Sequence, residues 1–113
     1  LERRSTAICS PYWMAPELIQ EGQYQCSADL WSLGITAIEL AQQYPPLWEV
    51  KPAVRALFRI PADPPPTLQR PEKWSTDCAA WIEGCLRKEP DSRLRPSELM
   101  AHPFLGARGS LPR

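Results

Sequence analysis

The chain has little histidine or paired cysteine to hold a zinc ion, and no excess of basic residues to line a nucleic-acid groove. It has one histidine, His102, and its four cysteines, Cys9, Cys26, Cys78 and Cys85, contain no C-x-x-C pair. Zinc sites draw on closely spaced cysteines and histidines, so no structural zinc is expected. The cysteines are also too sparse for a disulfide framework, and reduced, mostly buried thiols suit an intracellular protein. Neither sign of charge dominates: 13 Lys and Arg balance 13 Asp and Glu, which argues against a broad basic face for nucleic acid. No apolar run approaches the roughly 20 residues of a membrane span. Leu1-Glu2-Arg3-Arg4 has no apolar segment behind it, so no signal peptide is expected. Convincing β-alternation and internal repeats are missing as well.

Proline and tryptophan are abundant, at 14 and five in 113 residues. That length suits one small domain with a real core, and so many prolines imply short helices joined by rigid, irregular connections. Pro16 suits the first position of a helical turn, A-P-E-L-I, and Glu21-Gly22-Gln23 reads as a loop. Ser27 to Gln43 is the strongest element, with Ser27 as N-cap and Asp29 at the positive end of the helix dipole. It is apolar nearly all round, which predicts a buried central helix. Gly34 costs about 1 kcal/mol against alanine in mid-helix and points to close packing. Pro45-Pro46 stops that helix. A shorter helix is expected over Ala53 to Arg59, followed by "IPADPPPTL" as an extended loop. In "WSTDCAAWIEGCLRK", Ser75 caps a helix whose stripe is Cys78, Trp81, Ile82, Cys85 and Leu86, with Arg87 and Lys88 at its C-terminal end. A last helix runs from Pro96 to about Ala101, and residues 106–113 read as a disordered tail or linker. The expected fold class is mainly α.

"SPYWMAPE", "ADLWSLGITAIEL", "PPPTL" and "RPSELMAHPFL" together resemble the C-terminal lobe of eukaryotic serine/threonine protein kinases, of the sterile-twenty and germinal-centre group. "RALFRIPADPPPTLQRPEKWS" is especially similar to the kinase domains of class III myosins. The resemblance covers about residues 3 to 105 in the family's order and spacing. It implies a partial kinase fold over residues 1–105, running from the activation segment through the C-lobe helices, without the N-lobe. No G-x-G-x-x-G, H-R-D or D-F-G string occurs in the chain, so it carries no catalytic, nucleotide-binding or metal-binding residue of the family.

The remaining roles are implied by the resemblance. Thr6 falls at the activation-loop phosphothreonine, with Ser5 as a second candidate; phosphate there would pair with arginine and order the loop. Ser10, Pro11, Tyr12 and Trp13 form the P+1 segment beside the substrate's acceptor. Cys9 replaces the family's glycine, a residue more tolerant of backbone angle. Glu17 is the acid of the A-P-E motif and pairs with Arg93, Arg95 being the fallback. Asp29, Trp31 and Gly34 anchor the central helix, with Asp29 left facing solvent, and Tyr12 and Trp13 pack on that helix. Pro64-Pro65-Pro66 is a rigid loop, the alternative being a polyproline ligand. His102 is a helix-end residue, not a base or ligand, and residues 51–60 form a docking surface.

The function so implied is part of an ATP- and Mg²⁺-dependent serine/threonine protein kinase, cytoplasmic or cytoskeleton-associated. This chain would supply its activation segment and substrate side, and would be inactive alone. The expected partners are protein substrates and an upstream kinase or a second copy acting in trans, with a myosin motor in the same parent chain. The alternatives are a non-catalytic protein-binding module, or an incomplete product with no activity of its own.

Overall fold

The computed structural model describes residues 10–22 and 24–106. Helices dominate them, and no strand occurs among them. In order they are α1 (Pro16–Glu21), α2 (Cys26–Gln42), α3 (Ala56–Ala62), α4 (Thr76–Cys85), α5 (Pro96–Ala101) and α6 (Pro103–Gly106). Single 3₁₀ turns lie at Pro11–Trp13, Ala53–Arg55, Pro71–Lys73 and Pro90–Ser92. Proline begins α1, α5, α6 and three of those turns. Its fixed φ is preset for a first helical residue, where its missing N–H has no partner to lose.

Helix α2 is the long central element, and α4 packs across it. Trp31, Ile35 and Ile38 from α2 meet Cys85 and Leu86 at the end of α4, and all five side chains are fully buried. Gly34 sits at the crossing. A Cβ there would lie 2.7 Å from both Cys85 Cβ and Leu86 Cδ2, so only glycine lets the two helices approach this closely. The Pro11–Trp13 turn covers one flank of α2, and α3 packs against both that turn and α1, with Tyr12, Ala15, Ala56 and Ile60 buried in the shared core. Trp81 fixes the far end, its Nε1–H donating to Leu99 O at 3.2 Å and its ring tilted on Phe104.

Several expected boundaries shift. Ser27 is not a cap: α2 begins at Cys26 after an extended Gln25 with no side-chain cap, and Ser27 lies in the first turn. At the other end Gln43 takes the left-handed conformation (φ 78°) and donates to Glu39 O. Helix α3 reaches Ala62 with Pro61 inside it, so the extended loop starts at Asp63 and not at Ile60. Pro61 forfeits one N–H near the helix end, where the loss is least disruptive. Helix α4 stops at Cys85, not at Lys88, because the chain turns and Leu94 N–H takes Gly84 O at 3.0 Å. Ser75 does cap it, accepting from Cys78 N–H at 3.0 Å.

The largest correction concerns the all-round burial expected of α2. Leu33 is 43% exposed and Leu40 is 81% exposed. With Ala37, Trp74 and Phe104 they line an open apolar groove of about 500 Å³ between α2 and α4. Periodicity marks these residues as apolar-facing, but no described segment covers them.

Candidate functional site

A set of hydrogen bonds and an ion pair joins residues 10–17 to the central helix and the C-terminal elements. Pro11 opens a single 3₁₀ turn in which Trp13 N–H reaches Ser10 O at 3.1 Å. Three contacts then fix its backbone and rings. Ser32 of α2 donates its hydroxyl to Trp13 O at 2.8 Å. The buried Tyr12 donates its hydroxyl to Val50 O at 2.8 Å. The Lys51 ammonium lies 5.6 Å from the Tyr12 ring centroid, within cation–π reach. Tyr12 and Trp13 meet edge to face at 6.0 Å. Ser10 precedes the turn in an extended conformation and is half-buried. Ser10, Pro11, Tyr12 and Trp13 therefore form one rigid ledge on α2.

Below the ledge, Glu17 opens α1 and meets Arg93 across 76 residues of sequence. Arg93 Nη1 donates to Glu17 Oε2 and Nη2 to Glu17 Oε1, both at 2.8 Å, in a parallel fork. The Arg93 side chain is 0% exposed and that of Glu17 is 13% exposed. A buried guanidinium needs every donor satisfied. Arg93 does this with backbone: Nε to Arg87 O at 2.7 Å, Nη1 also to Ser27 O at 2.8 Å, and Nη2 towards Lys88 O at 3.5 Å. Its guanidinium carbon sits 5.1 Å over the Trp31 ring. One arginine thus ties α1, the start of α2 and the loop after α4 into a single joint. Arg95 takes no part in it; it is exposed, and its backbone N–H donates to Glu98 Oε1 at 2.7 Å as α5 begins.

Asp29 is exposed on the first turn of α2 and accepts a hydrogen bond from the Tyr24 hydroxyl, so it does not simply face solvent. Trp31 and Gly34 lie in the core beneath the joint. His102 Nδ1 accepts from Phe104 N–H at 3.1 Å, which starts the last short helix. Pro64 and Pro65 run exposed in an extended stretch, tied back where Gln69 N–H donates to Gln42 Oε1 at 2.8 Å. Thr6, Ser5 and Cys9 lie outside the described residues.

The partners of two side chains were not legible in the sequence. Lys88 reads there as a helix-dipole partner, but its ammonium caps the end of α3, donating to Pro61 O at 2.9 Å and Asp63 O at 2.6 Å. Ser32 reads as a packing residue, yet its hydroxyl holds the ledge. A serine followed by glycine two residues on gives no hint of a partner 19 residues upstream.

The ionisable groups are tuned for structure. Burial pushes the Cys85 thiol up to about 11, with the Arg93 charge opposing, and burial also raises Cys78. Both stay protonated and unreactive at neutral pH. The hydrogen bond to Glu83 raises Arg87 further. Among the described residues no group of three His, Cys, Asp or Glu could hold a metal ion. No helix among them is long and apolar enough to cross a membrane.

The sequence is similar to known proteins over most of its length. Residues 2–105 match the family model described as protein kinase domain. The protein named serine/threonine-protein kinase hippo, from Drosophila melanogaster, is 49% identical over 105 residues. That match covers 93% of this chain and 16% of the relative's length.

Proposed function

The chain belongs to the protein kinase domain family and carries C-lobe elements of a serine/threonine kinase; from that premise we propose that it forms the substrate-side floor of the enzyme. Residues 5–17 are the second half of an activation segment. Thr6, or Ser5, is its phosphorylated switch, and Ser10 to Trp13 are the P+1 ledge beside the acceptor hydroxyl. The Glu17–Arg93 pair carries this reading. A fully satisfied buried arginine fixes the far end of such a segment to the lobe. The ledge held by Ser32 and Tyr12 supports the same assignment.

The intact protein takes ATP and Mg²⁺ and passes the γ-phosphoryl group to a serine or threonine of a protein substrate. The nucleotide and metal are held by residues other than those described. The class III myosin likeness of residues 55–75 adds that a motor shares the parent chain; a motor-domain sequence beyond Arg113 tests it.

The experiment is a phosphotransfer assay on the intact protein with a short serine/threonine peptide, paired with phosphopeptide mapping. Label on the peptide hydroxyl, and occupancy of Thr6 or Ser5 under activating conditions, are expected. Ser10→Ala lowers kcat/KM with an unchanged melting temperature. Absence of transfer to any hydroxyl refutes the kinase reading, and empty Thr6 and Ser5 refute the switch. The 113 residues alone should show no melting shift with saturating ATP-Mg, since only a ligand of the folded state raises it.

The exposed apolar groove at Leu33 and Leu40 favours a second reading, in which the chain alone is an incomplete piece. Monomeric, cooperative unfolding of the isolated chain would argue for a self-sufficient binding module, and aggregation for the incomplete piece.

A further inference from the structure

Helix α2, the end of α3 and the proline-rich loops that follow each of them surround a cavity of about 260 Å³. That is close to the lower end of the roughly 300–1,000 Å³ of ligand pockets. Ile35, Ile60, Pro46 and Pro66 make its walls apolar. Trp31 lines it too, with 1% of its surface exposed, and the Trp31 Nε1–H is buried without an acceptor among the described residues. A buried indole N–H ordinarily has a partner. The Arg93 guanidinium over the Trp31 ring is all donor and cannot supply one. A second donor converges there: Gln42 lines the cavity, and its Oε1 accepts from Gln69 N–H, which leaves its NH₂ to donate. Charge on the lining is of one sign. Glu49 and Asp63 contribute to it, Asp63 being paired with Arg59, and among the described residues no lysine or arginine does. The exposed Trp48 stands at the edge, stacked on Tyr44 with ring centroids 4.3 Å apart.

We propose that this cavity binds a small planar organic molecule, neutral or cationic, whose carbonyl oxygen accepts from Trp31 Nε1–H. The buried donor sets the need for an acceptor, because a ligand without one leaves the N–H unpaired. The Trp48 face and the proline walls suit a ring, which gains by stacking and by leaving water. The acidic lining selects against anions, phosphates and nucleotides included. It favours a cation at the outer end, beside Glu49 and over the Trp48 face. Tyr12 lines the same cavity, so the occupant abuts the ledge. The site needs only the fold described, and stands whether or not the intact protein transfers phosphate.

Four probes test it on the intact protein: toluene, benzamide, benzoate and para-(aminomethyl)benzamide. Their affinities are measured by ligand-observed NMR, and crystals are soaked in benzamide. The soaked crystals should show the benzamide oxygen on Trp31 Nε1. Toluene should bind at least about tenfold more weakly than benzamide, since it strands the buried donor. Benzoate should be rejected, and the aminomethyl analogue should bind more tightly than benzamide. Glu49 is exposed, so Glu49→Lys should keep the wild-type melting temperature. It should remove the advantage of the aminomethyl analogue and leave benzamide unchanged. In Trp31→Phe the preference for benzamide over toluene should vanish; if that variant does not fold, the soaked crystals and the Glu49→Lys titrations decide alone. A water alone on Nε1, toluene or benzoate binding as tightly as benzamide, or an aminomethyl analogue indifferent to Glu49→Lys overturns the proposal.

Discussion

Replacing Glu17 by glutamine isolates the charge in the buried joint. Glutamine keeps the shape and one carbonyl acceptor, so Arg93 retains Ser27 O, Arg87 O and a share of its bond to residue 17. It loses its counter-charge while its side chain stays 0% exposed. Leaving a buried charge unpaired costs about 3–5 kcal/mol, and the residual hydrogen bond sets the expectation near 3. A domain of about 100 residues has only about 5–15 kcal/mol in hand and loses roughly 4–8 °C of melting temperature per kcal/mol. The expected fall is therefore about 12–24 °C, read by tryptophan fluorescence, because Trp31 lies under the guanidinium. Glu17→Met combined with Arg93→Met should cost less than the sum of the two single changes, since no orphan charge remains. A fall below about 4 °C for Glu17→Gln, equivalent to about 1 kcal/mol, would refute the claim that the pair is a desolvated joint.

Gly34→Ala should destabilise by about 1–3 kcal/mol in urea unfolding, because the new Cβ strikes Cys85 Cβ; intrinsic helix propensity would instead give a gain of about 1 kcal/mol, so the sign decides. Cys85 adds a pH dependence: its folded thiol is raised from 9.0 to about 11, so its contribution is intact below pH 9 and disappears as pH rises through about 11. That loss is about 2–3 kcal/mol, and Cys85→Ala should flatten this part of the alkaline unfolding curve; an unchanged slope would overturn it. The same burial predicts that an alkylating reagent on the native protein modifies the exposed Cys26 and spares Cys78 and Cys85, checked by mass spectrometry of the labelled peptides.

Helix starts were easier to read from the sequence than helix ends. Pro16, Pro96 and the Ser75 cap are local signals, and each marks a true beginning. The end of α4 is set by Leu94 N–H taking Gly84 O, a contact no window around Cys85 contains. The start of α2 misled because a good capping residue, Ser27, sits two positions after the true cap, Gln25, where its carbonyl serves Arg93 instead. Within the site, the pairing of Glu17 with Arg93 is what the family's spacing implies. The burial of Arg93, and the backbone carbonyls that complete it, appear only in three dimensions. Ser32 and Lys88 escaped notice because each acts through a carbonyl, and backbone acceptors have no residue identity to read.

The Glu17–Arg93 contact also dictates an order of events during synthesis. The two residues are 76 positions apart, with Arg93 among the last of the described structure to be made. At roughly 5–20 residues per second, the ledge and α1 wait about 4–15 s on the ribosome before their tether exists. During that interval the carboxylate of Glu17 lacks the guanidinium that pairs with it in the fold, whereas Tyr12 gains Val50 and Lys51 about midway. A chain cut short before Arg93 would leave Glu17 without its partner, and residues 10–13 would be held by Ser32 and Val50 alone.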